Sequence, residues 1–225
     1  VLASAPSRRG CSSWVEAGRQ RFLSGASTVS NLKIDRVEGT AIPVRGDNVD
    51  TDRIIPARFL KAITFEGLGD HVFEDDRLAM PGHPFSNPAY TGARILLVNE
   101  NFGSGSSREH APQALKRWGL AACVGESFSE IFRGNSLAIG LACVTASHDV
   151  IERLMALVET APSSRLTLSL QDQALEVDGS RVVVGVEAPV RDALLAGTWD
   201  ATGLLLDDFD VVRGVASRVP YIRGF

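Results

Sequence analysis

From Gly103 to His110 the chain runs Gly-Ser-Gly-Ser-Ser-Arg-Glu-His. Two adjacent hydroxyls, a guanidinium and an imidazole follow two closely spaced glycines. Glycine lets a backbone turn tightly and approach a ligand closely. Arg108 can grip a carboxylate through two parallel hydrogen bonds. A buried strand is expected before the loop, from Arg94 to Asn99, and a helix after it, from Arg108 to Trp118 and opening near Ser106 or Ser107. The free N–H groups of a first helical turn attract negative charge. Pro112 fits an early turn, where a missing N–H matters least. Together the parts make an anion pocket with two hydroxyls in it.

Nucleotide motifs fail on detail. A phosphate-binding loop needs Gly-Lys-Ser/Thr at its end, and this one has none. The dinucleotide pattern GxGxxG would place its third glycine at Arg108. The hydrolase elbow GxSxG fits in no register. Three readings stay open from the residues alone: the anion pocket, a Ser106–His110 pair one helical turn apart, and a plain Ser-capped helix after a glycine turn.

A second cluster, Gly46-Asp47-Asn48-Val49-Asp50-Thr51-Asp52-Arg53, carries three acids in six residues. Calcium is the first thought, but no glycine stands at the sixth loop position and Arg58 sits where the bidentate Glu belongs. The cluster is either a solvated turn before a helix, with Asp52 as its cap, or a carboxylate source that orients a catalytic group across a cleft. Cys11, Cys123 and Cys143 form no CxxC pair, so no metal or iron-sulfur ligand set is expected on this chain. Cys123 and Cys143 lie in apolar runs and are expected in the core.

Alternating elements must position these loops. Strands are expected at Gly39 to Val44, Arg94 to Asn99, Leu120 to Val124 and Leu137 to Val144. One or two helical turns are expected at Pro56 to Lys61. Thr64 to Pro88, rich in Gly, Pro, His and Asp, reads as a long irregular loop. Ser127-Phe128-Ser129-Glu130 has capping-box form, with Ser127 as cap of a short helix ending near Gly134. Ser147 opens a helix to about Thr160, whose Val150, Ile151, Leu154 and Val158 form an apolar stripe. Leu166 to Leu170, Ala174 to Val177 and Arg181 to Val186 form an antiparallel meander, and Ala188 to Ala196 a closing helix. The fold class is α/β with mixed parallel and antiparallel strands and helices packed around them.

The 225 residues suit a single domain of about 31–225. Residues 1–30 are Arg- and Ser-rich with one acid, which suits a disordered tail, an upstream-translation artefact or a transit-like segment. No apolar run approaches the ~18 residues of a membrane span, and a net charge of -4 without a basic stripe gives no sign of a nucleic-acid partner. A reducing compartment is expected: the cytoplasm, or an organelle if residues 1–30 are a transit peptide.

Three ordered stretches, GDNVDTDRIIPARFLK, NFGSGSSREHAPQALKRWG and GESFSEIFRGNSLAIGL, resemble the small subunits of 3-isopropylmalate dehydratase. Those subunits are similar to the swivel domain of aconitase. The resemblance runs from about Gly39 to the C-terminus and implies an aconitase-swivel-like β/β/α domain. It implies a hydro-lyase that interconverts 2-isopropylmalate and 3-isopropylmalate through isopropylmaleate, in leucine biosynthesis. It also implies a separate large subunit carrying a 4Fe-4S cluster, in a heterodimer or larger assembly, and a small dicarboxylic acid substrate. Carried over residue by residue, Ser106 is the base, acting as an alkoxide. Ser107 donates through its backbone or hydroxyl to the substrate or the alkoxide, and Gly105 is a further substrate-binding position. Arg108 binds a carboxylate, and Asp52 belongs to the same network.

One departure bears on specificity. The aconitase swivel domain carries an Arg for an extra carboxylate in the loop after the Thr-Asp helix, and none aligns here. Ile63 and Phe65 stand in that stretch and suit an isopropyl group, or else serve as core. An apolar pocket discriminates one methylene by only about 1–3 kcal/mol, so homoaconitase-type or methylmalate and citraconate hydratase-type substrates remain alternatives. A non-catalytic binding module is the alternative from another class.

Overall fold

The computed structural model describes residues 32–61, 64–219 and 221. The tail assigned to residues 1–30, with Cys11, and the proposed pocket residue Ile63 lie outside them.

Two kinds of sheet meet at β1 (Arg36–Val44). Its first half alternates exposed and buried residues and pairs antiparallel with β5 (Arg165–Ser169). Its second half, Ala41 to Val44, is buried throughout and pairs parallel with β2 (Ile95–Val98). β3 (Ala122–Gly125) and β4 (Ala142–Thr145) extend the parallel side, while β6 (Ala174–Val177) and β7 (Ser180–Val183) extend the antiparallel side. The order is β4-β3-β2-β1-β5-β6-β7. Strands covered on both faces need continuous apolar runs, and Ile95-Leu96-Leu97-Val98 is wholly buried. The sheet also curls on itself: Thr145, ending β4, exchanges two backbone hydrogen bonds with Gly185, at 2.8 and 2.6 Å.

The helices are α1 (Thr51–Ile54), α2 (Glu74–Ala79), α3 (His110–Trp118), α4 (Glu130–Leu137), α5 (His148–Thr160), α6 (Ala188–Ala196), α7 (Ala201–Asp207) and α8 (Phe209–Ala216). α3 links β2 to β3 and α4 links β3 to β4, as parallel neighbours require. None is long and apolar enough to cross a membrane. The mixed α/β class expected from the alternation of elements is the class observed.

Several boundaries differ from expectation, each for a tertiary reason. The loop helix starts at His110, not at Ser106 or Arg108. Gly103 and Gly105 hold φ of +75° and +90°, and Arg108 N–H folds back to Ser106 O at 2.8 Å, so no helical ladder can begin there. Ser106 and His110 therefore do not share a helix face.

α4 is capped by Ser129, not Ser127. Phe102 pairs with Phe128 in a β-bridge, which keeps Ser127 and Phe128 extended. The helix also runs on to Leu137, so β4 starts at Ala142; an apolar run cannot by itself separate a buried helix end from a strand. Asp50, not Asp52, caps α1, accepting from Arg53 N–H at 2.8 Å. Thr64 to Pro88 holds α2 and short 3-10 turns rather than a structureless loop, and α7 and α8 follow the helix expected to close the chain.

Candidate active site

Ligands of open α/β sheets bind beyond the carboxyl ends of the strands. β1 and β2 end together there, Val44 beside Val98, and the loops after them stay joined. Asn48 N–H donates to Glu100 O (2.9 Å), Gly103 N–H to Val49 O (2.8 Å) and Thr51 N–H to Ser104 O (2.9 Å). Asn48 and Asn101 both adopt positive φ, at 56° and 54°, and their side chains bond each other at 2.8 Å. Asparagine enters that region more readily than most residues.

The segment after β3 supports the loops from the other side. Ser129 N–H donates to Phe102 O (3.0 Å), and its hydroxyl donates to Gly103 O (2.6 Å). Phe102 and Phe132 pack edge to face beneath, with ring centroids 5.3 Å apart. A side chain on Gly103 would overlap the Phe132 ring, and its φ is left-handed, so two independent constraints select glycine there.

This framework brings Arg108 and Asp52 together across 56 residues of sequence, Arg108 Nη1 donating to Asp52 Oδ1. The Arg108 side chain is 17% exposed and that of Asp52 50%, so Asp52 faces outward and draws the guanidinium to the rim. Among the described residues no other nitrogen of the Arg108 guanidinium has an acceptor. Gly105, Ser106 and Ser107 are exposed. The structure therefore gathers Asp52, Gly105, Ser106, Ser107 and Arg108 at one rim. Phe65 is half-buried against α3, edge-on to His110 with centroids 5.1 Å apart and under the Arg117 guanidinium.

Sequence reasoning missed the hub below. Asn99, 6% exposed, accepts from Gly46 N–H at 2.9 Å through Oδ1. Its Nδ2 donates to Glu126 (2.8 Å) and Glu152 (2.9 Å). It thereby joins the ends of β1, β2 and β3 to α5. An Asn directly after the apolar run of β2 was the available signal, since a polar side chain at a buried strand end must find partners.

Glu126, His148 and Glu152 bring three ligand-type atoms within 4.8 Å of one another. The Asn99 amide already donates to both carboxylates, and Arg45 donates to Glu152 at 2.7 Å, so protein donors neutralise the cluster. Arg45 first, then Asn99, hold the Glu152 carboxyl below its usual range. Glu126 lifts the His148 imidazole above its ordinary value of 6.5. A raised histidine value stabilises the fold below about pH 6.5 and loses that contribution as pH rises through the folded value. The melting-temperature gap between wild type and His148→Gln is therefore expected to shrink from about pH 6 to about pH 8. A gap constant over that range would exclude the pair as a pH-linked contact.

Cys123 and Cys143 are buried neighbours in register on β3 and β4. Two thiols inside the sheet fall short of the thiolate set that holds an iron-sulfur cluster. Among the described residues, this chain does not fit such a group.

With the site in place, its likenesses become informative. The aconitase C-terminal domain family model matches residues 31–149. A 3-isopropylmalate dehydratase small subunit of Synechocystis is 45% identical over 192 residues, covering 85% of this chain and 96% of the relative. One from Thermus thermophilus is 45% identical over 195 residues, covering 85% and 97%. One from Streptomyces avermitilis is 37% identical over 180 residues, covering 80% and 91%. A crystal structure of 3-isopropylmalate dehydratase from Methanocaldococcus jannaschii superposes with a TM-score of 0.59 at 24% identity, over 78% of this chain and 99% of that one. At that identity the last likeness speaks for the fold alone.

Proposed function

The chain belongs to the aconitase C-terminal domain family, among the 3-isopropylmalate dehydratase small subunits, and from that membership we infer what its loop does. It is the small subunit of the leucine-biosynthesis hydro-lyase that interconverts 2-isopropylmalate and 3-isopropylmalate through isopropylmaleate. We read residues 31–225 as one domain that supplies half of an active site. The observation that carries this reading is the exposed rim of Ser106, Ser107 and Arg108, held rigid from below and open above.

Enzymes of the aconitase family use an iron-sulfur cluster. We place it on a large-subunit partner, because the thiols among the described residues, Cys123 and Cys143, do not fit it. On this side, Arg108 binds a substrate carboxylate through its free edge while Asp52 fixes the opposite tip. Ser106 takes or returns the proton at the carbon next to that carboxylate. The Ser107 N–H donates to the oxygen on which charge develops. An unassisted serine hydroxyl titrates far above neutral pH. The Arg108 charge and outward N–H groups in a water-excluded site must lower that value, as an oxyanion hole stabilises developing charge. In this reading Phe65 serves the alkyl side of the pocket.

Co-expression with a family large subunit tests it. Purified together, the two chains are expected to hydrate isopropylmaleate, and the small subunit alone is expected to be inactive. No hydration with any of several cluster-loaded large subunits would sink the assignment. Parallel assays on citraconate and homoaconitate measure how strictly the pocket selects the isopropyl group.

A further inference from the structure

We propose that Thr51 is a positioning residue for the reaction: its hydroxyl sets the peptide plane between Ser106 and Ser107 and thereby aims the Ser107 N–H out of the loop. Thr51 opens α1 and is 2% exposed. The first residues of a helix have N–H groups without intrahelical partners, and Thr51 donates its own to Ser104 O at 2.9 Å. Its buried hydroxyl must also find an acceptor or carry a desolvation cost. It donates to Ser106 O at 3.0 Å. One residue thus holds the carbonyls on both sides of Gly105. That glycine has φ of +90°, and a Cβ there would lie 3.4 Å from Asp50 Cβ and 3.7 Å from Thr51 Oγ1.

The geometry of the peptide bond does the rest. In a planar trans peptide the C=O and N–H point in opposite directions. Ser106 O is held on the Thr51 side by the Thr51 hydroxyl and by Arg108 N–H at 2.8 Å. The Ser107 N–H must therefore face away from Thr51. By the same rule the bond from Thr51 N–H to Ser104 O turns the Gly105 N–H away. Among the described residues neither N–H has a protein acceptor, and residues 105–107 are exposed. Two donors consequently flank the Ser106 hydroxyl on the open face, where a developing oxyanion would be met. Losing the Thr51 hydroxyl would leave Ser106 O with only the Arg108 N–H, and the peptide less firmly oriented. Thr51 touches no reacting atom in this account; it acts through the loop.

The inference rests on the reading of Ser106 and Ser107 as the reacting loop, and the test separates the two. Thr51→Val keeps the branched shape and burial and removes the donor. In the reconstituted enzyme it is expected to lower kcat about 30-fold, with KM within about threefold of wild type, because misaimed donors cost the transition state more than the ground state. Thr51→Ser restores the hydroxyl and is expected to recover most of kcat. Thr51→Ala lacks the donor with a different shape and is read in its place if Thr51→Val does not fold.

A purely structural role predicts something else: a lower melting temperature, unchanged kcat per folded enzyme, and no special recovery by serine. Near-normal kcat in Thr51→Val beside an inactive Ser106→Ala overturns the positioning role alone. An active Ser106→Ala overturns the underlying reading whatever Thr51 does.

Discussion

Ser106→Ala is expected to lower kcat of the reconstituted enzyme about a thousandfold, within the range lost when a positioned acid or base is removed. That corresponds to about 4 kcal/mol of barrier. KM is expected to stay near wild type, since in the proposed reading Arg108 and not Ser106 grips the carboxylate. The fold should not notice. The Ser106 side chain is exposed and has no protein hydrogen-bond partner among the described residues. What holds the loop at this position is the Ser106 carbonyl, which alanine keeps. Surface changes of this kind shift stability by no more than about 0.5 kcal/mol. Co-purification with the large subunit should be retained, and turnover within about threefold of wild type would refute the base. The contrast between a thousandfold kinetic loss and an unmoved melting curve separates chemistry from architecture.

The barrier figure also limits how the base can work. Arg108 is the charge adjacent in sequence, yet Asp52 neutralises part of it. The remaining stabilisation must come from the N–H groups of the loop, because the helix behind begins four residues beyond Ser106. Moving the helix start from Ser106 to His110 thus shifts the electrostatic burden from a helix end to single peptides. On that reading, peptide orientation at Gly105 and Thr51 is expected to matter more than helix capping.

Much of the scaffold was legible because its central parallel strands are buried almost throughout. Ile95-Leu96-Leu97-Val98 and the runs around Cys123 and Cys143 are apolar for a reason that acts at every residue. Boundaries were less legible. Ser127 and Ser129 both precede Glu130 plausibly, and only the pairing of Phe128 with Phe102 decides between them. Leu137, expected in a strand, instead ends α4, and Gly140 at φ +66° lies in the turn before β4.

The site was legible in composition but not in assembly. Gly103, Ser106 and Arg108 announce an anion pocket. Nothing in the spacing could join Arg108 to Asp52, because the register of β1 on β2 brings them together. The family resemblance put both residues in one network, and the sheet supplies the physical cause. Asn99 and Thr51 were harder to read: each acts through partners distant in sequence, and although a polar residue at a buried strand end must find partners, nothing in the spacing says which.

Arg108→Lys is expected to raise KM about a hundredfold, or about 2.7 kcal/mol, with a smaller loss in kcat. Asp52 occupies Nη1, which leaves Nε and Nη2, the parallel pair of donors that matches a carboxylate side-on. Lysine offers one point charge in place of that fork and cannot hold Asp52 and a substrate carboxylate in fixed geometry together. Asp52→Asn tests the second half of the argument. It keeps the shape but weakens the hold on the guanidinium, and a loss of about tenfold in kcat/KM is expected. If Asp52 works through Arg108, the same change in the Arg108→Lys background should add little, because residues acting as one unit are not additive. A full tenfold loss in that background would make Asp52 an independent contributor, and an unchanged KM in Arg108→Lys would remove Arg108 as the carboxylate clamp. The pair is worth the double-mutant measurement because its members follow different strands, β1 and β2, and their coupling energy reads how far the two side chains act as one unit.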